Sequence, residues 1–172
     1  MGYAGGSKDH PTYQDLGDHT ETLQIEFDPT KITYAQLLDL FWASHNPCRR
    51  TGNVQYRAAV FCHSPEQKQV AEAGKSRLEA EGKTVATEIL PAGRFWAAED
   101  YHQKYYLRST REMMREFDAL YPNPKAFRDS TAAARVNGWL AGNGSLAQVR
   151  AEIDRCGLSD AAKQRLLERD RE

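Results

Sequence analysis

Cysteine is scarce: Cys48, Cys62 and Cys156 are the only three in 172 residues. Their odd count and irregular spacing exclude a disulfide framework, and without a Cys-x-x-Cys pair the usual thiolate zinc sites are excluded too. The five histidines (10, 19, 45, 63 and 102) never fall at a His-x-x-x-His spacing, so no helical metal pair is present. Charge of one sign is missing as well. With 23 Lys and Arg against 24 Asp and Glu the net charge is −1, which gives no electrostatic case for nucleic acid or an anionic membrane. No apolar run approaches the roughly 20 residues that span a bilayer. No basic stretch followed by an apolar one marks a signal peptide, and the expectation from these absences is a cytoplasmic protein. Internal repeats and low-complexity segments are also absent.

What is present begins with glycine. Met1-Gly2-Tyr3-Ala4-Gly5-Gly6 is dense punctuation of the kind that ends a strand and opens a loop. Residues 7–20 are polar, with Pro11 and Gly17, and read as a long loop. Residues 21–27 alternate: Leu23, Ile25 and Phe27 share one side, and Thr22, Gln24 and Glu26 the other, which predicts a half-buried strand ended by Asp28-Pro29. Thr33-x-x-Gln36 is a capping box opening a helix, with Leu37, Leu38, Phe41 and Trp42 on one stripe and its end before Pro47. Residues 46–53 form a turn-rich loop. Residues 57–62 predict a strand buried on both faces. Ser64-Pro65 opens a second helix that Gly82 stops, and residues 85–90 predict a third strand. The order β-α-β-α-β is that of a two-layer α+β sandwich, a mixed sheet with helices packed on it. Beyond an aromatic stretch at 94–106, helices are expected at 109–120, 131–140 and 146–156, the last opened by the capping box Ser145-x-x-Gln148. The charged tail 160–172 is expected to be a solvated helix.

Several side chains carry possible chemistry. Glu21 has the parity of the apolar side of its strand, where burial favours the neutral, proton-holding form of a carboxyl group; the competing reading is a wet strand edge. His102 lies among Glu99, Asp100, Tyr101, Tyr105 and Tyr106, either as a functional group or as a structural hydrogen-bond partner. Tyr3 and Tyr56 border loops, and a phenol there can polarise a substrate oxygen or simply pack. Cys62 sits in the most apolar strand and reads as inert core. Cys48 lies beside Arg49 and Arg50, which favour a thiolate. Cys156 ends a peripheral helix.

Together these pieces resemble one family, peptide methionine sulfoxide reductase A. The matching segments occur in the family's order: Gly2-Tyr3-Ala4-Gly5-Gly6, Pro11-Thr12-Tyr13, His19-Thr20-Glu21, Phe27-Asp28-Pro29, Leu40-Phe41-Trp42 with His45-Asn46-Pro47, and Gln55-Tyr56-Arg57. His63-Ser64 with Glu66-Gln67-Lys68, Thr87-Glu88-Ile89 and the run Ala98-Glu99-Asp100-Tyr101-His102-Gln103-Lys104-Tyr105 complete the set. The resemblance implies a reductase of methionine S-sulfoxide, free or in oxidised proteins. It implies Glu21 as the acid, Tyr3 and Tyr56 as partners of the sulfoxide oxygen, and Asp100, His102 and Tyr105 as pocket support. It implies no bound metal or organic cofactor, and thioredoxin or another dithiol as reductant. In the family a cysteine thiolate attacks the sulfoxide sulfur and becomes a sulfenic acid, which thiols then reduce.

The chain departs from this pattern in three places. The family carries its nucleophile in Gly-Cys-Phe-Trp-Gly, on a strand and helix upstream of the Gly-Tyr-Ala-Gly-Gly segment, and no cysteine here matches it. The loop before Gln55 is shortened to Gly52-Asn53-Val54, without the family's Asp. The usual cysteine-rich tail is replaced by Asp129 through Gly142, which leaves Cys48 and Cys156 as candidate resolving thiols. The expectation is an N-terminally truncated reductase domain over residues 1–107, first strand and helix missing, with a helical C-terminal extension over 108–172. Met1 would then be a GTG valine codon taken as a start, or the edge of a fragment. Losing roughly ten buried apolar side chains, each about 1.5–3 kcal/mol, would outweigh a typical net stability of about 5–15 kcal/mol. Such a chain is expected to fold poorly, to expose its sheet face and to be inactive by the family route. Two rival readings are an inactive methionine-binding or regulatory module, and a different thiol enzyme using Cys48.

Overall fold

The computed structural model describes residues 1–168 and forms two compact units, Met1–Ala98 and the residues from Glu99 onward. The class is α+β. The first unit holds five short strands: β1 (Gly2–Ala4), β2 (Thr20–Thr22), β3 (Ala59–Cys62), β4 (Glu88–Pro91) and β5 (Trp96–Ala97). Two helices, α1 (Tyr34–Ser44) and α2 (Pro65–Ala80), complete it. Strands β2-β1-β5 form an antiparallel sheet, with Tyr3 opposite both Glu21 and Trp96. Strands β3 and β4 pair in parallel, Ala59 with Glu88 through Cys62 with Pro91.

The helices start where their caps place them. The Thr33 hydroxyl accepts from the Gln36 N–H, and the Gln36 side chain accepts from the Thr33 N–H at 2.8 Å, closing a capping box. At α2, Ser64 accepts from the Gln67 N–H, with Pro65 in the first turn. The Gln67 side chain reaches one residue further back, to the His63 N–H at 2.9 Å, so this cap is not reciprocal. Leu38 and Trp42 of α1 pack with Ala71 and Leu78 of α2, Val60 and Cys62 of β3, and Val85. Gly74 lets the Trp42 indole lie against α2: a Cβ there would stand 2.5 Å from Nε1.

The alternating segment 21–27 is a strand only to Thr22. The register pairs Gly2 with Thr22, which uses up β1, and residues 23–27 take no regular conformation. Leu23 and Ile25 are accordingly 63 % and 52 % exposed. Strand β3 starts at Ala59, not at residue 57, and buries one face rather than two: Val60 and Cys62 are covered while Ala59 and Phe61 are half-buried. The strand expected at 85–90 is displaced to 88–91. Ala86 and Thr87 instead donate their N–H groups to Pro47 O at 2.8 and 3.3 Å, tying the end of α1 to β4. His45 adds to that tie, with Nδ1 on Phe41 O at 2.7 Å and Nε2 on the Thr87 hydroxyl at 3.0 Å.

The second unit is helical: α3 (Tyr105–Ser109), α4 (Arg111–Leu120), α5 (Pro124–Asp129), α6 (Thr131–Leu140), α7 (Leu146–Glu152) and α8 (Asp160–Glu168). The helix expected at 146–156 changes to a 3₁₀ turn at Ile153–Cys156. Its core gathers Leu107, Met113, Phe117, Phe127, Val136 and Ile153. Glu116 of α4 accepts from the Ser159 N–H and hydroxyl at 3.0 and 2.9 Å, fixing the start of α8. The end of the charged tail, residues 169–172, lies outside the described residues.

Candidate active site

The first unit contains a cavity of about 830 Å³. Its wall is mainly apolar, with Leu37, Phe41, Phe61 and Phe95 among the lining side chains, and its polar edge includes Glu21 and Tyr56. No cysteine lines it.

Two segments bring the polar edge together. The first is the long connection from β1 to β2. Gly5 turns with φ +78°, and its neighbour Gly6 donates its N–H to His19 Nδ1 at 3.1 Å. The buried His19 ring meets Lys8 O through Nε2 at 2.7 Å. Because Nδ1 accepts and a carbonyl cannot donate, the ring carries its hydrogen on Nε2. Asp18 gathers the Ser7 N–H on both carboxylate oxygens, at 2.8 and 2.9 Å, and the Lys8 N–H at 3.3 Å. The Ser7 amide is the main reason its carboxyl is lowered from 3.8 to about 2. These bonds fold the loop back on itself and leave Tyr13 near its tip, beside the Thr12–Asp15 bridge.

The second segment is the 3₁₀ turn Val54–Tyr56, capped by Asn53, whose side chain accepts from the Gln55 N–H at 3.0 Å. The Thr20 hydroxyl donates to Val54 O at 3.1 Å and accepts from Arg57 Nε at 2.8 Å. Arg57 also reaches Gly5 O and the Glu88 carboxylate, each at 3.3 Å. One guanidinium therefore ties the β1 turn, β2 and β4 to the loop carrying Gln55 and Tyr56. Gln55 Nε2 donates to Glu21 Oε1 at 2.7 Å. Tyr56 is hydrogen-bonded to Tyr13; that bond, then partial burial and the negative charge of Glu21, hold its phenol above the ordinary range. Tyr56 thus stays protonated and able to donate at neutral pH.

The structure brings Glu21 and Tyr56 to one cavity. Tyr3 is not itself among the lining residues: it is 2 % exposed and packs with Leu16, Ala98 and Trp96, while Glu21, its partner across β1 and β2, does line the cavity. The phenol beside Tyr56 is Tyr13, which sequence reasoning passed over although it stands in the Pro11-Thr12-Tyr13 segment. Gln55 stands in the Gln55-Tyr56-Arg57 segment, where the sequence alone assigns it no role. Asp100, His102 and Tyr105 belong to the second unit, where the His102 ring lies tilted against Tyr101 with centroids 4.2 Å apart and Tyr105 is 63 % exposed. Cys48 is exposed on its loop, and Cys156 is buried in the helical core with its thiol raised by burial. Cys62 is buried too, and burial is the main cause that raises its thiol; its Sγ lies 3.9 Å from the Tyr34 hydroxyl. Among the described residues no cluster of His, Cys, Asp and Glu is placed to hold a metal ion. No helix among them is long and apolar enough to cross a membrane.

An apolar cavity edged by a half-buried carboxyl group and a phenol sets two polar hydrogen-bonding groups beside an apolar wall, the composition of a small-molecule site. Comparison with known proteins makes this specific: the family model for peptide methionine sulfoxide reductase matches residues 1–133, and the chain belongs to that family. It is 42 % identical to a peptide methionine sulfoxide reductase of Drosophila melanogaster, over 95 % of this chain and 67 % of the relative. It is 44 % identical to the peptide methionine sulfoxide reductase MsrA of Acidobacterium capsulatum, over 60 % of this chain and 74 % of that protein. Among solved structures, reduced Mxr1 from Saccharomyces cerevisiae aligns with a TM-score of 0.57 at 31 % identity, covering 64 % of this chain and 70 % of that one. The chain thus spans about two thirds to three quarters of these relatives.

Proposed function

We propose that the first unit is the oxygen-handling part of a peptide-methionine (S)-S-oxide reductase. The observation that carries this is that Glu21 and Tyr56 line one apolar cavity, with Tyr13 hydrogen-bonded to Tyr56. In the proposed reaction a thiolate attacks the sulfoxide sulfur while Glu21 gives a proton to the oxygen. The phenol of Tyr56 donates a hydrogen bond to that oxygen as it gains charge, with Tyr13 orienting that phenol from behind. The thioether leaves, and the attacking sulfur holds the oxygen as a sulfenic acid. A second thiol converts this to a disulfide with release of water, so two thiols supply the two electrons. Thioredoxin or another dithiol protein would reduce that disulfide, and the substrate is methionine S-sulfoxide, free or within oxidised proteins.

The attacking thiol is not among the residues lining the cavity, and the described chain is proposed to bind sulfoxide without reducing it. The cavity is far larger than one methionine side chain. The absence of sulfur from the lining also favours a second reading, an inactive methionine-binding module. Reading the coding sequence upstream of Met1 separates the two. An open frame ending in Gly-Cys-Phe-Trp-Gly and its helix supports the reductase, whose extended form should turn over with dithiothreitol. A stop codon or an unrelated frame supports the binding module.

A further inference from the structure

The contact between Gln55 and Glu21 is short, and its direction is unambiguous in chemistry: an ionised carboxylate only accepts, so the amide donates. The Gln55 amide has little freedom to do otherwise. Its backbone N–H is taken by the Asn53 side chain at 3.0 Å. The carbonyl before it, Val54 O, is held by the Thr20 hydroxyl at 3.1 Å. Thr20, 2 % exposed, is the residue next to Glu21 in β2, and Arg57 fixes its hydroxyl at 2.8 Å. The turn is thus bolted to the strand one residue from the carboxyl group that its side chain meets.

We infer that Gln55 is a positioning residue that determines which oxygen of Glu21 carries a proton. With Oε1 engaged as an acceptor at 2.7 Å, a proton on the carboxyl group resides on Oε2. Loss of the amide donor frees both oxygens to compete for the proton and removes a bond that favours the ionised form. The adjacent residue in the same turn, Tyr56, supplies a phenol at the cavity. One three-residue turn therefore orients the acid and presents an oxygen-binding group beside it. This inference rests on the reading of Glu21 as a proton donor for its place in catalysis, but the hold on Glu21 is testable without any turnover.

The test is a carbon-13 NMR titration of the Glu21 side-chain carboxyl in the full 172-residue chain, paired with binding of N-acetyl-methionine-S-sulfoxide methylamide across the same pH range. In Gln55→Leu the Glu21 midpoint moves upward, because the carboxylate loses a hydrogen-bond donor. Gln55→Glu keeps the shape of the side chain, replaces the donor by a like charge, and moves the midpoint further in the same direction. The pH dependence of sulfoxide binding moves with it. An unchanged Glu21 midpoint in both folded variants overturns the inference, since a merely structural glutamine would alter stability or affinity without moving this titration. A shifted midpoint in a chain that fails to bind the sulfoxide supports the hold of Gln55 on Glu21 and refutes the sulfoxide reading instead.

Discussion

Replacing Gly5 with alanine tests how β1 is brought across β3. Gly5 has φ +78°, and a Cβ at that position would lie 2.5 Å from Phe61 Cε1 and 2.8 Å from Arg57 Nη2. Two costs follow. A residue with a side chain in the left-handed region loses about 1–2 kcal/mol, and forcing a methyl group into occupied space costs about 1–3 kcal/mol. The expected loss of stability is therefore about 2–5 kcal/mol, a large share of a typical net stability of about 5–15 kcal/mol. Gly82 provides the control. It has φ +84° but nothing within 4 Å of its Cβ position, so Gly82→Ala carries the backbone cost alone, about 1–2 kcal/mol. Urea denaturation of both variants, with the slope of the transition held common, isolates the steric part as their difference. Equal losses in the two variants would refute the argument, because they would show that Phe61 and Arg57 yield without cost and that this turn is not a close contact between the β1 turn and β3.

Acid stability should depend on Asp18. Its carboxyl is lowered in the folded state, so its contribution is present above the ordinary value of 3.8 and is lost as pH falls toward about 2. Asp18→Asn should flatten the stability profile over that window, and an unchanged acid limb in thermal melts counts against it. Leu23→Lys and Ile25→Lys should each leave stability within about 0.5 kcal/mol while lowering binding of a hydrophobic dye, because both side chains are largely exposed; a loss of several times that size would mean they are covered in solution. Iodoacetamide with mass spectrometry should label Cys48 in the native chain and reach Cys62 and Cys156 only after denaturation; native labelling of Cys156 would contradict its burial in the helical core.

Local signals in the sequence proved the most legible. The caps at Thr33, Ser64 and Ser145 need only neighbouring residues, and each opens a helix where expected. Strand extents were harder, because a strand exists only where another backbone pairs with it. Residues 23–27 have the alternation of a strand but no partner after Gly2↔Thr22. At the site, Glu21 and Tyr56 could be named from pattern and resemblance, and both reach the cavity. The phenol hydrogen-bonded to Tyr56 could not. Tyr3 and Tyr13 both border glycine- or proline-rich loops. Only the fold-back through His19 and Asp18 shows that Tyr13 meets Tyr56 while Tyr3 turns into the small core with Leu16. Gln55 was hidden for the same reason: its partner lies across a turn, 34 positions away in sequence.

The decisive measurement is a binding titration of the two epimers of N-acetyl-methionine-sulfoxide methylamide against the full chain at neutral pH, followed by NMR shifts of Glu21, Tyr56 and Tyr13. A site built as described takes up the S epimer saturably and in preference to the R epimer, perturbs all three residues together, and loses most of that affinity in Glu21→Gln and Tyr56→Phe. Equal weak shifts with both epimers, or S-epimer binding that both substitutions leave untouched, would show that this cavity does not read the sulfoxide oxygen.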